Sequence, residues 1–139
     1  MMMEKTDKER KINELIEIAK EVREQAYAPY SNFKVGAVLV TKNGKVFTGV
    51  NVENASYGLT NCAERTAIFK AVSEGERDFD TLVVIADTDK PVAPCGACRQ
   101  VMAEFGNFKV ILANTKGDWV ETTVQELLPY RFDKSDLEK

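Results

Sequence analysis

Three cysteines and the absence of histidine place the strongest constraint on this 139-residue chain. The cysteines are Cys62, Cys95 and Cys98, and an odd number in a reducing compartment argues against a disulfide framework. A structural zinc site closes its tetrahedron with four Cys or His ligands, and this chain offers three. A bound zinc would therefore take its fourth ligand from water, a carboxylate or another subunit. Three protein ligands plus water are typical of a catalytic zinc.

The distribution of apolar residues predicts alternating strands and helices. A first helix begins with a capping box at Thr6 and Glu9, continues through Ala26 and is stopped by Pro29. The remaining predicted elements are, in order, strands at 33–40 and 46–50 joined by the turn Asn43-Gly44, a loop at 51–61, a helix at 62–75, a strand at 81–86, a helix at 95–106, strands at 108–113 and 119–124, and a short helix at 124–128.

This order of elements predicts an α/β fold with three layers, α/β/α, in which helices cover both faces of a five-stranded mixed sheet. The link between the last two strands, residues 114–117, is too short for a parallel crossover, so we expect these strands to be antiparallel. Ligand sites in such sheets form at the carboxyl ends of strands, beside helix N-termini. Both cysteine segments open predicted helices, so the two segments can converge there.

Length and composition indicate the class of protein. The chain suits a single domain over residues 1–139, of which we expect residues 1–5 to be disordered. Hydrophobic residues make up 44% and charged residues 29%, which is a globular composition. No apolar stretch approaches the ~20 residues that cross a bilayer, and no signal sequence is recognisable, so we expect a cytoplasmic protein without membrane contact. A net charge of −3 and a pI near 5.1 argue against a nucleic-acid partner.

The spacing of the cysteines and one acidic residue suits a metal site with a proton carrier. Cys95 and Cys98 lie on one side of the first turn of a predicted helix, so two sulfurs can reach one ion. The helix dipole and the free N–H groups of that turn favour thiolates, and the same holds for Cys62 at the start of its own helix. Glu64 lies two positions after Cys62, so we expect its carboxylate beside the metal but not bound to it.

Charge balance adds a second requirement to such a site. Three thiolates on Zn²⁺ leave a net charge of −1, which opposes the acidification of a bound water. Arg65, next to Glu64, and Arg99, next to Cys98, are therefore candidates for a compensating cation. The two helix N-termini contribute positive potential as well.

The motifs together resemble one enzyme family. Cys62-Ala63-Glu64 followed by Pro94-Cys95-x-x-Cys98 is similar to the signature of the zinc-dependent nucleoside deaminases. The segments NVENASYGLTNCAERTAIFKAVSEG, SNFKVGAVL and ELLPYRFDKSDL resemble the all-cysteine, homotetrameric cytidine deaminases. The resemblance extends over the chain from Ile12 onward and implies the three-layer fold of that family.

The resemblance also implies a set of site residues. It assigns one Zn²⁺ per chain to Cys62, Cys95 and Cys98, makes Glu64 the proton shuttle, and has Arg65 hydrogen-bond the thiolates and offset their charge. Contacts to the nucleoside are implied for six residues: Phe33, Asn51, Glu53, Tyr57, Ala63 and Phe132.

The family roles of these contact residues differ. Phe33 would line the pyrimidine pocket, and Asn51 and Glu53 would bind the ribose hydroxyls. Tyr57 and Phe132 would help to complete the site of a neighbouring subunit in a homotetramer. The pair Tyr130-Arg131 stands where relatives commonly carry small residues, which makes the alignment of Phe132 less secure than that of the zinc ligands.

The activity that the resemblance implies is the hydrolytic deamination of cytidine and 2'-deoxycytidine to uridine and 2'-deoxyuridine plus ammonia, in pyrimidine salvage. Hydroxide generated at the zinc would attack C4, while Glu64 carries protons from the water to ring N3 and to the departing amine.

Other interpretations of the same residues compete with this one. A buried cysteine is most often a small apolar core residue, Cys95-x-x-Cys98 also fits a redox pair, and Phe132 also fits a docking contact for the tail. At the level of function, the alternatives are a deaminase of another amine, such as a nucleoside antibiotic or a base within nucleic acid, and a zinc-binding module without catalysis.

Overall fold

A mixed five-stranded sheet lies at the centre of the computed structural model, which describes residues 6–137. The predicted disorder of residues 1–5 lies outside the described residues. In chain order the elements are α1 (Asp7–Arg23), β1 (Val35–Thr41), β2 (Val46–Val50), α2 (Ala63–Ser73), β3 (Phe79–Ala86), α3 (Gly96–Glu104), β4 (Lys109–Asn114), β5 (Trp119–Thr123), α4 (Val124–Leu127) and α5 (Lys134–Leu137). None of these helices has the length and apolar character that a membrane span requires.

The strand order confirms the predicted mixed sheet. The strands are arranged β2-β1-β3-β4-β5, and β3 and β4 are parallel while the other neighbours are antiparallel. The last two strands pair in the register Lys109 to Thr123 and Ala113 to Trp119, so the prediction from their short link is confirmed. Because β3 and β4 run in the same direction, their carboxyl ends at Ala86 and Asn114 share one edge of the sheet.

The sheet is covered on both faces, which confirms the three-layer architecture. Side chains of β3 alternate between the faces, as the pleat of a strand requires. One face packs against α1 through a cluster of buried residues: Ile12, Ile16, Ala19, Val38, Val83, Ile85, Ile111 and Ala113. The other face packs against α2, α3 and α4 through a larger cluster that includes Leu39, Phe47, Ala67, Ile68, Leu82, Val84, Met102, Val110, Leu112 and Val124.

The first helix is shorter than its apolar pattern predicts. It ends at Arg23, about one turn before Ala26, because the following N–H groups make tight turns instead of helical bonds. The N–H of Gln25 donates to the carbonyl of Val22, and the N–H of Ala26 donates to that of Arg23. The chain then turns to pair with the loop after β2.

Two more boundaries were not predicted. Strand β1 begins at Val35 rather than at residue 33, because the side chain of Asn51 binds the backbone of that segment. The predicted loop at 51–61 contains a single 3-10 turn, Tyr57–Leu59, and the C-terminal segment contains α5. Both are too short for a period in the sequence to indicate them.

Close backbone contact sets the position of α2 over the sheet. Gly49 in β2 lies so near this helix that a Cβ at that position would stand 2.5 Å from both the carbonyl oxygen of Ala63 and the backbone nitrogen of Ala67. Only glycine permits this approach. Helix α2 therefore rests directly on the backbone of β2, with its N-terminus beside the carboxyl end of that strand.

Candidate metal centre and active site

The three cysteines converge where α2 and α3 begin. Cys62 is the N-cap residue of α2, Cys95 is the N-cap residue of α3, and Cys98 lies in the first turn of α3. The Sγ atoms of Cys62 and Cys95 are 3.8 Å apart, and all three Sγ atoms lie within 4.8 Å of one another. Cys98 is fully buried, Cys62 is half-buried and Cys95 is exposed.

The spacing of the sulfurs fits a zinc ion. Tetrahedral Zn²⁺ with Zn–S bonds of about 2.3 Å holds its sulfurs about 3.8 Å apart. The separation between Cys62 and Cys95 agrees with that value. Within residues 6–137, the group of convergent metal-binding side chains contains these three cysteines and no other residue. The donor set is therefore the three-ligand set of a catalytic zinc rather than the four-ligand set of a structural one.

Contacts within the cluster shift the pKa values of two of the thiols in opposite directions. A hydrogen bond with Cys98 is the largest cause that lowers the pKa of Cys62 to about 5, and Arg65 adds to it. The same hydrogen bond and burial raise the pKa of Cys98. The pKa of Cys62 is therefore lowered while that of Cys98 is raised, and Arg65 favours the ionised form of Cys62.

A cation lies directly against this thiolate. The Nη2 atom of Arg65 donates to Sγ of Cys62 at 3.3 Å, and this contact raises the pKa of the guanidinium. The Nε atom of Arg65 is buried and has no hydrogen-bond partner among the described residues. Arg99, the second candidate from the sequence, binds backbone instead: its Nε donates to the carbonyl of Pro94 and its Nη1 to that of Leu127, both at 2.8 Å. Of the two candidate cations, Arg65 is the one that donates a hydrogen bond to a sulfur.

Glu64 lies in the first turn of α2 and is 5% exposed. Burial raises the pKa of its carboxyl, and the nearby Cys62 thiolate raises it further. A raised pKa brings an acid closer to the operating pH, where it both accepts and returns a proton readily. The sequence placed Glu64 beside the sulfurs, and the structure brings them together.

Two side chains hold the backbone at Cys62, and the sequence analysis missed both. Thr66 Oγ1 donates to the carbonyl of Cys62 at 3.2 Å, and Asn61 Nδ2 donates to Thr66 Oγ1 at 3.2 Å. A threonine that bonds to the carbonyl four residues earlier is common in helices. Its presence in the sequence therefore gives no signal of a metal site.

Asn51 is 8% exposed and binds backbone on the neighbouring segment. Its Oδ1 accepts from the N–H of Val35, and its Nδ2 donates to the carbonyl of Phe33, both at 2.8 Å. The amide keeps one N–H and one lone pair for a further partner. Asn51 thereby fixes the position of Phe33, whose ring is 41% exposed.

Glu53, two residues further along the chain, has a similar structural role. Its Oε1 accepts from the N–H groups of Tyr30 and Ser31 at 3.0 and 3.1 Å, and its Oε2 accepts from the Ser31 hydroxyl. The Ser31 hydroxyl is the largest cause that lowers the pKa of this carboxyl. Asn51 and Glu53 together hold residues 30–35 beside the loop that leads into α2.

The remaining predicted contact residues differ in exposure. Ala63 is fully buried in the core. Tyr57 and Phe132 are 78% and 57% exposed. The C-terminal segment makes one contact through its backbone here, because Nε2 of Gln100 donates to the carbonyl of Phe132 at 2.6 Å.

The fold and the cluster define a class of zinc-binding α/β enzymes in which three cysteines hold the metal, and comparisons with known proteins agree. Residues 9–114 match the cytidine and deoxycytidylate deaminase zinc-binding region. The chain is 58% identical to a protein named cytidine deaminase from Sporosarcina psychrophila over 128 residues, which cover 91% of this chain and 94% of that one. It is 34% identical to a blasticidin-S deaminase from Bacillus cereus, over 88% of this chain and 92% of that one.

A solved structure shows the same architecture. The crystal structure of cytidine deaminase from Burkholderia pseudomallei matches with a TM-score of 0.84 and 59% identity, over 86% of this chain and 98% of that chain. The chain therefore belongs to the cytidine and deoxycytidylate deaminase family, and its cofactor is zinc, one ion per chain.

Proposed function

We propose that the protein deaminates cytidine and 2'-deoxycytidine to uridine and 2'-deoxyuridine, with release of ammonia, in pyrimidine salvage. The observation that carries this proposal is the buried Glu64 carboxyl beside three convergent cysteines. A purely structural zinc site needs neither a three-ligand set nor a buried acid. Relatives that are named cytidine deaminase and that align over most of both chains support the choice of substrate.

The proposed mechanism assigns the proton transfers to Glu64. Cys62, Cys95 and Cys98 would hold the zinc ion, which would supply an activated water as the nucleophile for C4 of the base. Glu64 accepts the proton of that water and delivers it to ring N3, which makes C4 more electrophilic. Glu64 then takes the remaining proton from the hydroxyl on C4 and passes it to the departing amine, so that C4 becomes a carbonyl and ammonia leaves. Its raised pKa suits a group that alternates between the two protonation states.

Arg65 and the loop residues would prepare the site for this reaction. The guanidinium of Arg65 offsets the negative charge of the thiolates, which would otherwise oppose the ionisation of water. Phe33 would pack against the pyrimidine. Asn51 and Glu53 would bind the ribose hydroxyls through the donor and acceptor sites that their backbone contacts do not use. The backbone of Ala63 would contact the base.

The proposed assembly is a homotetramer in which Tyr57 and Phe132 complete the site of a neighbouring subunit. The high exposure of both rings supports this proposal, because large aromatic side chains are typical of interfaces. We also propose that the enzyme works in the cytoplasm, where a reducing environment keeps three thiols available for zinc.

One sample tests the proposed function. Zinc per chain and the loss of cytidine absorbance are measured on the same preparation, with free cytosine, a cytosine-containing oligonucleotide and blasticidin S as comparison substrates. The proposal expects one zinc per chain and rapid ammonia release from cytidine and deoxycytidine. Blasticidin S is included because a relative of that specificity matches the chain. Tightly bound zinc with no activity on cytidine would overturn the proposal.

A further inference from the structure

Cys95 has the least local support of the three zinc ligands. It ends the irregular segment 87–95 between β3 and α3, and its side chain is exposed. It makes no side-chain capping hydrogen bond at the start of α3. By contrast, Cys98 lies inside α3 and is fully buried. The position of the Cys95 sulfur therefore depends on what holds the backbone on either side of it.

Arg99 binds that backbone on both sides. Its Nε donates to the carbonyl of Pro94, the residue before Cys95, at 2.8 Å. Its backbone N–H donates to the carbonyl of Cys95 itself at 3.0 Å. Its Nη1 donates at 2.8 Å to the carbonyl of Leu127, the last residue of α4, which would otherwise be one of the unpaired carbonyls at a helix C-terminus.

Helix α4 is a fixed anchor for this contact. Val124 is fully buried in the core, and its N–H donates to the carbonyl of Phe108 at 3.1 Å. The Thr123 hydroxyl caps the helix by accepting from the N–H of Glu126 at 3.2 Å. The guanidinium bonds both the Pro94 carbonyl and this helix. It therefore restrains the backbone just before Cys95.

We propose that Arg99 is a positioning residue for the zinc ligand Cys95, which it holds by linking the Pro94 carbonyl to the C-terminus of α4. The inference rests on the zinc site of the proposed function. Two neutral carbonyls receive the guanidinium, so its geometry rather than its charge is what the site uses. A guanidinium presents several donors in a rigid plane, whereas the single ammonium of lysine does not span two acceptors in the same way.

Full-length Arg99→Lys and Arg99→Ala proteins test the proposal. Zinc affinity is measured by competition with a chelator, and the visible absorption of the cobalt-substituted protein reports the geometry of the three sulfurs. Both variants are expected to bind zinc about 10–100-fold more weakly, the usual cost of losing a residue that orients a metal ligand. Their cobalt spectra are expected to differ from that of the wild type.

Two controls separate this role from general effects. Arg77→Lys and Arg77→Ala change an exposed arginine elsewhere and should leave zinc affinity unchanged. Gln100→Ala removes the hydrogen bond to the carbonyl of Phe132 in the C-terminal segment, and it leaves the contact with Pro94 in place. This variant should also leave zinc affinity unchanged. If the tail alone mattered, Gln100→Ala would weaken zinc binding as much as the Arg99 variants do, and the proposal would be overturned.

The remaining outcomes are equally decisive. Wild-type zinc affinity in Arg99→Lys would show that charge rather than geometry matters, and would refute the proposal. A lower melting temperature with unchanged zinc affinity and an unchanged cobalt spectrum would leave Arg99 a purely structural residue. Should Arg99→Ala not fold, Arg99→Lys still gives the answer. Failure of the wild type to bind zinc would instead refute the proposed function.

Discussion

The Nη2 atom of Arg65 lies 3.3 Å from Sγ of Cys62, one helical turn away on α2. This contact places a positive charge beside a sulfur whose pKa is lowered. A site with three thiolates and one divalent ion is anionic, so a fixed cation at this distance stabilises both the thiolate and any negative charge that develops on the reacting water. The relationship leads to the first prediction.

Arg65→Gln should raise the pKa of Cys62 in the zinc-free protein from its present value of about 5, because the variant loses the cation. The thiolate of the wild type exists above that pH, and the variant should need a higher pH to form it. The hydrogen bond from Cys98 remains, so the shift should be partial. Thiolate absorbance against pH measures it, and zinc affinity or turnover should fall about 10–100-fold. Arg65→Lys, which keeps the charge, should lose less.

Glu64→Gln should retain zinc and lose turnover. The amide has nearly the shape of the carboxyl but carries no titratable proton, so the relay from water to substrate is interrupted. The expected fall in kcat is about 10²–10⁴-fold. Zinc content and kcat are measured on the same protein. Near-normal turnover in the variant would show that another group moves the proton.

Glu53 should make stability depend on acid pH. Its pKa is lowered in the folded protein, chiefly by the Ser31 hydroxyl. A lowered pKa means that the stabilising contacts are present above the unfolded value of 4.5 and are lost as the pH falls through the folded value. Urea unfolding at several pH values should show this loss in the wild type. Glu53→Gln should remove that part of the slope, and an unchanged slope would contradict the assignment.

Gly49→Ala should destabilise the protein and displace helix α2. The added Cβ would meet the backbone of Ala63 and Ala67, which cannot rotate away. Overpacking of this kind costs about 1–3 kcal/mol, measured by urea unfolding. Activity should fall further than stability alone explains, since α2 carries Glu64. Gly58→Ala is the matched control, because a Cβ there meets no atom within 4 Å.

Phe132 should act on the site of another subunit. Phe132→Ala should raise KM while leaving zinc content unchanged. If the ring completes a neighbour's site, mixing the Glu64→Gln and Phe132→Ala chains and reassembling them should restore activity. The restored sites would take Glu64 from one chain and Phe132 from the other. No gain on mixing, with mixed assemblies verified by mass, would place Phe132 in its own subunit's site or outside any site.

The sequence predicted the parts of the structure that local pattern controls. Continuous apolar runs indicated the strands, and the starts of two helices placed Cys62, Cys95 and Cys98 where they could meet. It also identified Glu64 by its distance from Cys62. These features depend on neighbours within one or two turns, so a single sequence is enough to predict them.

Contacts between distant segments were beyond the reach of the sequence. Arg99 was a candidate for the cation beside the sulfurs, and its contact with Leu127, 28 positions away in the chain, was not predicted. The amide of Asn51 binds the backbone 16 and 18 positions earlier, which shortens the predicted strand. Such hydrogen bonds depend on how the elements pack, and no periodicity in the chain indicates them.

Cys62 and Cys95 each occupy the N-cap position of a helix and make no side-chain capping bond of their own. A single ion bound by both sulfurs would therefore join the N-terminal ends of two helices. Zinc bound in this way would stabilise the folded chain by linking these two helices. In a cell that lacks zinc, newly made chains would be degraded more readily. Proteases would attack the N-terminal ends of the two helices, which the ion does not yet join.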